Sequence, residues 1–203
     1  LTESDKQFAA KTNSFFENAK EMFSKGYSDG KMLTTKKSLV PDKSVSEMIG
    51  LVPAEADFIL VAKVNKLMEK PLAHKYLNEN YLKTPEERAA YAEFISNTGL
   101  NVLEDIHDIV IFTSGDTGKN AVSGMILKGR FNANKICEVI SKDPKASMDV
   151  DIKRIDGFNA IIPKNKNDGF GLFLDEKTAV IGTEQGVMEA KDIKLGKKQG
   201  LDN

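Results

Sequence analysis

Four short constellations carry residue types that could do chemistry. The stretch Gly115-Asp-Thr-Gly-Lys119 has the glycines and lysine of a phosphate loop. A phosphate loop also needs a glycine five positions before its Gly-Lys pair and a hydroxyl after it, where this chain has Thr113 and Asn120. It further needs a helix to follow and offer backbone N–H groups to phosphate, whereas an apolar, strand-length run follows. Within the same stretch, Asp116-Thr117-Gly118 matches the short motif of aspartic proteases. Those enzymes use two carboxylates sharing a proton, and a single copy would require a dimer. Both patterns are also ordinary turn chemistry.

Glu104, Asp105, His107 and Asp108 form the densest ligand-capable group. Oxygen and imidazole donors suit a divalent cation, but His74 is the sole other histidine and no Cys or His spacing recurs. The bland alternative is a polar connection leading into a strand. Cys137 sits beside Ile136, Val139 and Ile140 in a helical pattern. A cysteine nucleophile needs access and a neighbouring base, so Cys137 is expected to be a small, buried, unreactive core residue. Lys191, Lys194, Lys197 and Lys198 suit the end of a terminal helix and its dipole, and read as a solvated face. No catalytic, cofactor-binding or metal residue is assigned from these patterns.

The elements that position these residues centre on Asp108–Phe131. Two apolar runs flank the glycine-rich connection, predicting a β-hairpin. Ile109–Phe112 is unbroken apolar sequence, which suits a strand covered on both faces. Before it, Phe58–Val64 predicts a strand. Asn65 is placed to cap a short turn, and Pro71 to open a helix running to about Tyr81. Thr84-Pro-Glu-Glu87 predicts a capped helix, stopped by Gly99.

After the central hairpin, Asn132 caps a helix with Phe131 and Ile136 at staple positions. Met148, Val150 and Ile152 alternate with charged residues as a strand would. Asp156-Gly157 is a strong hairpin signal. A two-residue turn there pairs Ile155 with Phe158 and Ile152 with Ile161 on opposite sheet faces. Either both faces are covered or a bulge resets the register. Phe170–Leu174 and Thr178–Ile181 predict a further hairpin, and Thr183 caps a last helix. Strands mostly follow one another directly, so the fold class is α+β: a largely antiparallel sheet with helices packed on one face.

At the N-terminus, Ser4 to Gln7 fits a capping box. Phe8, Thr12, Phe15, Phe16, Ala19, Met22 and Phe23 then recur at helical spacing. Tyr27–Ser46 has no sustained period and reads as a linker or wrapping loop. The organisation expected is an N-terminal amphipathic helix and linker, residues 1–47, followed by an α+β domain, residues 48–203.

The chain has 203 residues, 29 basic and 30 acidic, with no tryptophan and one cysteine. That length supports a real hydrophobic core. The balanced charge gives no footprint for nucleic acid and no polybasic membrane surface. One cysteine precludes an intramolecular disulfide. No apolar run is long enough to span a bilayer as a helix, and no signal peptide is present. Leu1 in place of a starting Met fits both an exported chain that has lost its signal and a cytosolic fragment.

Three segments taken together, Leu51-Val-Pro-Ala-Glu-Ala-Asp-Phe58, Gly99-Leu100 with Asp105-Ile-His-Asp-Ile109, and Thr178-Ala-Val-Ile-Gly-Thr-Glu184 with Val187 and Ala190, resemble a group of exported bacterial proteins of unknown function. The resemblance spans about Leu51 to Asn203 and excludes the N-terminal arm. Its motifs are strand starts, caps and turns. It implies export, a periplasmic or cell-surface location and a natural chain longer than this one, and carries over no catalytic residue. The function expected is a non-catalytic binding or scaffold domain of a bacterial envelope with a protein partner there. The alternative is a hydrolase whose site is assembled from carboxylates distant in sequence.

Overall fold

A computed structural model describes residues 43–71, 73, 82–115, 122–144, 146–165 and 169–201. The chain divides into two compact units, Leu1–Val40 with His74–Glu93 and Pro41–Ala73 with Phe94–Asn203. The second holds a seven-stranded antiparallel sheet. The N-terminal amphipathic helix and most of the helix expected from Pro71 lie outside the described residues.

Several helices start and stop where local hydrogen bonding dictates. Residues 43–46, read as linker, instead form the start of α1 (Lys43–Ile49), and its Val45 and Met48 are buried. Strand β1 (Phe58–Lys63) runs into a single helical turn, α2 (Val64–Met68). Helix α3 (Pro85–Thr98) has a reciprocal capping box. Glu87 N–H donates to Thr84 Oγ1 (3.2 Å), and Thr84 N–H donates to Glu87 Oε2 (3.1 Å). Gly99 ends it at φ 72°, a conformation that favours glycine. A further short helix, α4 (Val102–Asp105), leads into β2 (Ile106–Ser114), which pairs with β3 (Val122–Gly129) as the central hairpin. Asn132 caps α5 (Ala133–Lys142), its side chain accepting from Lys135 N–H at 3.0 Å. Phe131 and Ile136 are both buried, as a staple requires.

The expected strand start at Met148 is not formed. Ala146–Asp149 is a helical turn, α6, and Met148 is 71% exposed. Its alternation with Val150 is accidental, because the chain is still turning after Pro144. Strands β4 (Val150–Ile155), β5 (Phe158–Pro163), β6 (Phe170–Asp175) and β7 (Thr178–Gly182) then follow as hairpins, and α7 (Glu184–Lys194) completes the described elements.

The sheet order is β1-β2-β3-β7-β6-β5-β4, with every neighbouring pair antiparallel. Two meanders are thus joined by the pairing of β3 with β7. One sheet face carries Val110, Phe112, Ile126, Val180, Leu172 and Ala160, which pack with Met48 of α1, Val52, and Val187 and Ala190 of α7. Each large side chain so buried contributes about 1.5–3 kcal/mol. Along β2, Asp108, Val110, Phe112 and Ser114 are buried while the residues between them are half-buried. Both faces of β2 are covered, but unequally.

The second hairpin resolves without a bulge. Asp156 (φ 51°) and Gly157 (φ 88°) form a turn with two positive φ angles, the type I′ geometry matched to strand twist. The register runs unbroken from Ile155↔Phe158 to Val150↔Pro163. Ile155, Phe158 and Ile162 pack against the main core. Ile152 and Ile161 lie on the opposite face, where α5 approaches: Asn159 Nδ2 donates to Asn134 Oδ1 (2.9 Å), and the Phe131 and Phe173 rings are 6.0 Å apart. The helices covering the main core, α1 and α7, therefore share one face, and α5 lies on the other.

Candidate functional site

Asp105, at the end of α4, has its carboxylate tied three ways. It accepts from Asn101 N–H (2.7 Å), from Arg130 Nε (2.9 Å), and pairs with a second Arg130 nitrogen at 2.6 Å. Arg130 N–H also donates to the Asp105 carbonyl (3.0 Å). The acid clasps the start of β2 to the end of β3. Asp108 is buried on the core face of β2 and accepts from Ser44 Oγ of α1 at 2.9 Å. His107 is half-buried and sits where the β2–β3 register shifts between Ile106 and Asp108, and Glu104 is exposed. The four residues that look like a ligand cluster in sequence are thus dispersed. Among the described residues, no group of three or more His, Cys, Asp or Glu is placed to hold a metal ion.

Cys137 is 6% exposed, and burial pushes its thiol pKa up. That is the opposite of nucleophile activation. His74, Asp116, Thr117, Gly118 and Lys119 lie outside the described residues. Gly115, which precedes Asp116 in sequence, has its N–H held by Asp57 Oδ2 at 2.8 Å.

Of the terminal lysines, Lys194, Lys197 and Lys198 are exposed, as expected of a solvated face, and Lys191 is the exception. Lys191 is 4% exposed and pairs with Asp156 (2.6 Å) and Asp192 (3.1 Å). Lys197 also reaches Asp156 (3.3 Å), Lys194 pairs with Asp175 (2.8 Å), and Lys198 with Glu189 (3.4 Å). Lys191 stands four residues after Val187, on the packed stripe of α7. Its methylenes are covered while the ammonium reaches carboxylates at the surface. The Asp156 hydrogen bond raises the Lys191 pKa against the opposing effect of burial, and the Lys191 and Lys197 hydrogen bonds hold the Asp156 carboxyl below its ordinary value.

A groove of ≈ 520 Å³ opens where the start of α5 meets the β4–β5 and β6–β7 turns. Sequence reasoning missed it, because it joins residues from three separated segments. Phe131, Phe158 and Phe173 supply apolar surface, and Asn134, Asn159 and Asp175 supply polar groups. The amides form a directed chain: Arg154 Nε donates to Asn159 Oδ1 (3.3 Å), whose Nδ2 donates on to Asn134. Burial opposes ionisation of Asp175, yet hydrogen bonds from Lys194, the Lys177 N–H and Thr178 hold its carboxyl below the ordinary value. An acid held ionised by a lysine is poorly suited to general-acid work near neutrality. The groove has the makings of recognition, amides beside aromatic surface, more than of bond cleavage.

No family model matches this chain, and neither a curated protein nor a solved structure is significantly similar to it. Fold and site therefore define a class only: an α+β domain built on one seven-stranded antiparallel sheet.

Proposed function

We propose that this chain is a non-catalytic binding or scaffold domain of a bacterial envelope, serving a protein partner. The observation that carries the reading is the dispersal of the acids among the described residues. Asp105 holds Arg130 and Asp108 accepts from Ser44 of α1, while Asp156 and Asp175 hold Lys191 and Lys194, one turn apart on α7. The alternative hydrolase, built on carboxylates, needs at least two such groups converging on one reacting centre. The envelope assignment rests on the resemblance of Leu51–Asn203 to exported bacterial proteins. Among the described residues no helix is long and apolar enough to cross a membrane.

Two measurements test this. Fractionation of the bacterium that makes the full-length gene product is expected to place it in the envelope, and recovery in the cytosol overturns that part. A peptide- and glycoside-substrate screen from acidic to neutral pH, run on the parent and on Asp116→Asn and Asp175→Asn, is expected to find no turnover. Turnover lost in either folded variant would instead establish the hydrolase.

A further inference from the structure

The two ends of the sheet are defended differently. A strand at a sheet edge presents a row of backbone N–H and C=O groups to any other strand, and proteins commonly block this with charge or proline. At one end, β4 carries Asp151, Lys153 and Arg154, and Asp151 is flanked by Lys153 (3.9 Å) and Lys164 (3.8 Å). At the other end, β1 reads Phe58-Ile-Leu-Val-Ala-Lys63, without proline and without charge before its last residue. Among the described residues, β1 pairs with β2 alone. Phe58 and Val61 are 43% and 41% exposed, which is high for large apolar side chains.

We propose that β1 is a self-association edge, pairing antiparallel with β1 of a second copy of this chain to continue the sheet across a two-fold axis. Sequence and pleat together select the register. Facing residues in a sheet share a face, so a two-fold pair must be centred on a residue and not between two. Centred on Leu60, Leu60 faces its own copy, Ile59 faces Val61, and Phe58 faces Ala62, so every opposed pair within the strand is apolar. The next pair outward sets Asp57 opposite Lys63 of the partner subunit, twice, by symmetry. Opposite charges facing across strands are favourable, and like charges are not. A pair centred on Val61 would set Lys63 against Ile59 and lose this complementarity. The inference concerns how the domain meets a partner and does not depend on the non-catalytic reading, since an enzyme could dimerise the same way.

Sedimentation of the full chain tests it. A six-residue strand pair is a small contact, so the average mass should rise with concentration toward twice that of the chain. Val61→Lys, at an exposed position, should return the protein to monomer with its circular dichroism unchanged. Leu60→Cys should cross-link to its own copy on mild oxidation, because the two Cβ atoms facing across the axis would lie about 4.5–5.5 Å apart. Val61→Cys should cross-link far less, its two copies being diagonal neighbours roughly 7–8 Å apart. Buried Cys137 should not contribute to either product. A parent that stays monomeric up to ~1 mM, the weak end of measurable affinity, overturns the proposal. So does a dimer that survives Val61→Lys, or cross-linking that favours Val61 over Leu60.

Discussion

Asp156 does two jobs with one side chain. It takes the positive φ of the β4–β5 turn, and its carboxylate holds Lys191 of α7. The charge part can be removed alone, since Asn tolerates the same backbone conformation. The Asp156 pKa is lowered in the folded protein, so its contribution is present above the ordinary aspartate value and is lost as pH falls through the folded value. The Lys191 pKa is raised, so its contribution is complete below the ordinary lysine value and is lost as pH climbs through the folded value. Asp156→Asn is therefore expected to lower stability most around neutral pH. The gap to the parent should narrow in acid, as urea denaturation at a series of pH values would record. An acid-independent gap would mean that the turn, not the charge, is at stake. Cys137 gives a second expectation at this scale: native protein should react with a thiol reagent only at the rate at which it opens, and rapid labelling would contradict the burial. Its burial was legible from its apolar neighbours in sequence. The burial of Lys191 was harder to read, because its partner Asp156 is 35 positions away and a lysine four residues from a valine fits a solvated face equally well.

Caps and turns were the most legible elements, because their hydrogen bonds close within about four residues and depend on local residue type. Thr84, Asn132 and Thr183 all cap as their positions imply. They are not equal in consequence. Asn132 satisfies its own helix, so Asn132→Ala should cost about 1 kcal/mol, and Asn132→Gly only a few tenths. Thr183 also accepts from Ser123 N–H (3.2 Å) and donates to the Ser123 carbonyl (3.1 Å), fastening the start of α7 to the start of β3. Thr183→Ala should therefore cost roughly 2 kcal/mol, the upper end for a cap. Equal losses in the two alanine variants, read as denaturant midpoints, would mean that the Ser123 link contributes nothing. Sequence could not distinguish them, since the partner of Thr183 is 60 positions distant. Phe112 and Gly124 illustrate the same limit. They are register partners in the central hairpin, and a Cβ on Gly124 would run into the Phe112 ring. The hairpin was readable, whereas the need for glycine at Gly124 follows only from the ring that covers it.

At the scale of the molecule, the α+β class and the antiparallel hairpins followed from strand runs placed one after another. The joining of β3 to β7 did not, because nothing local marks which strands of two meanders will meet. The groove was hidden for the same reason: its lining comes from the start of α5 and two hairpin ends. Helix α1 was obscured by its setting, a short apolar pattern within a polar, proline-containing stretch. Its place in the larger unit can be measured by comparing two truncated chains, one beginning at Lys43 and the other at Glu47. Both lack residues 1–42, so whatever that segment contributes cancels in the comparison. The shorter chain alone loses Val45, which is 4% exposed, and the Ser44 hydroxyl that donates to buried Asp108. Burying a valine contributes about 1.5–3 kcal/mol, and a hydrogen bond to a charged group about 1.5–3 kcal/mol. Loss of both should make the chain from Glu47 less stable by roughly 3–6 kcal/mol than the chain from Lys43. Ser44→Ala in the longer chain isolates the second contribution. Coincident urea transitions for the two truncated chains would show that α1 is a dispensable flank and that the packed domain starts after it.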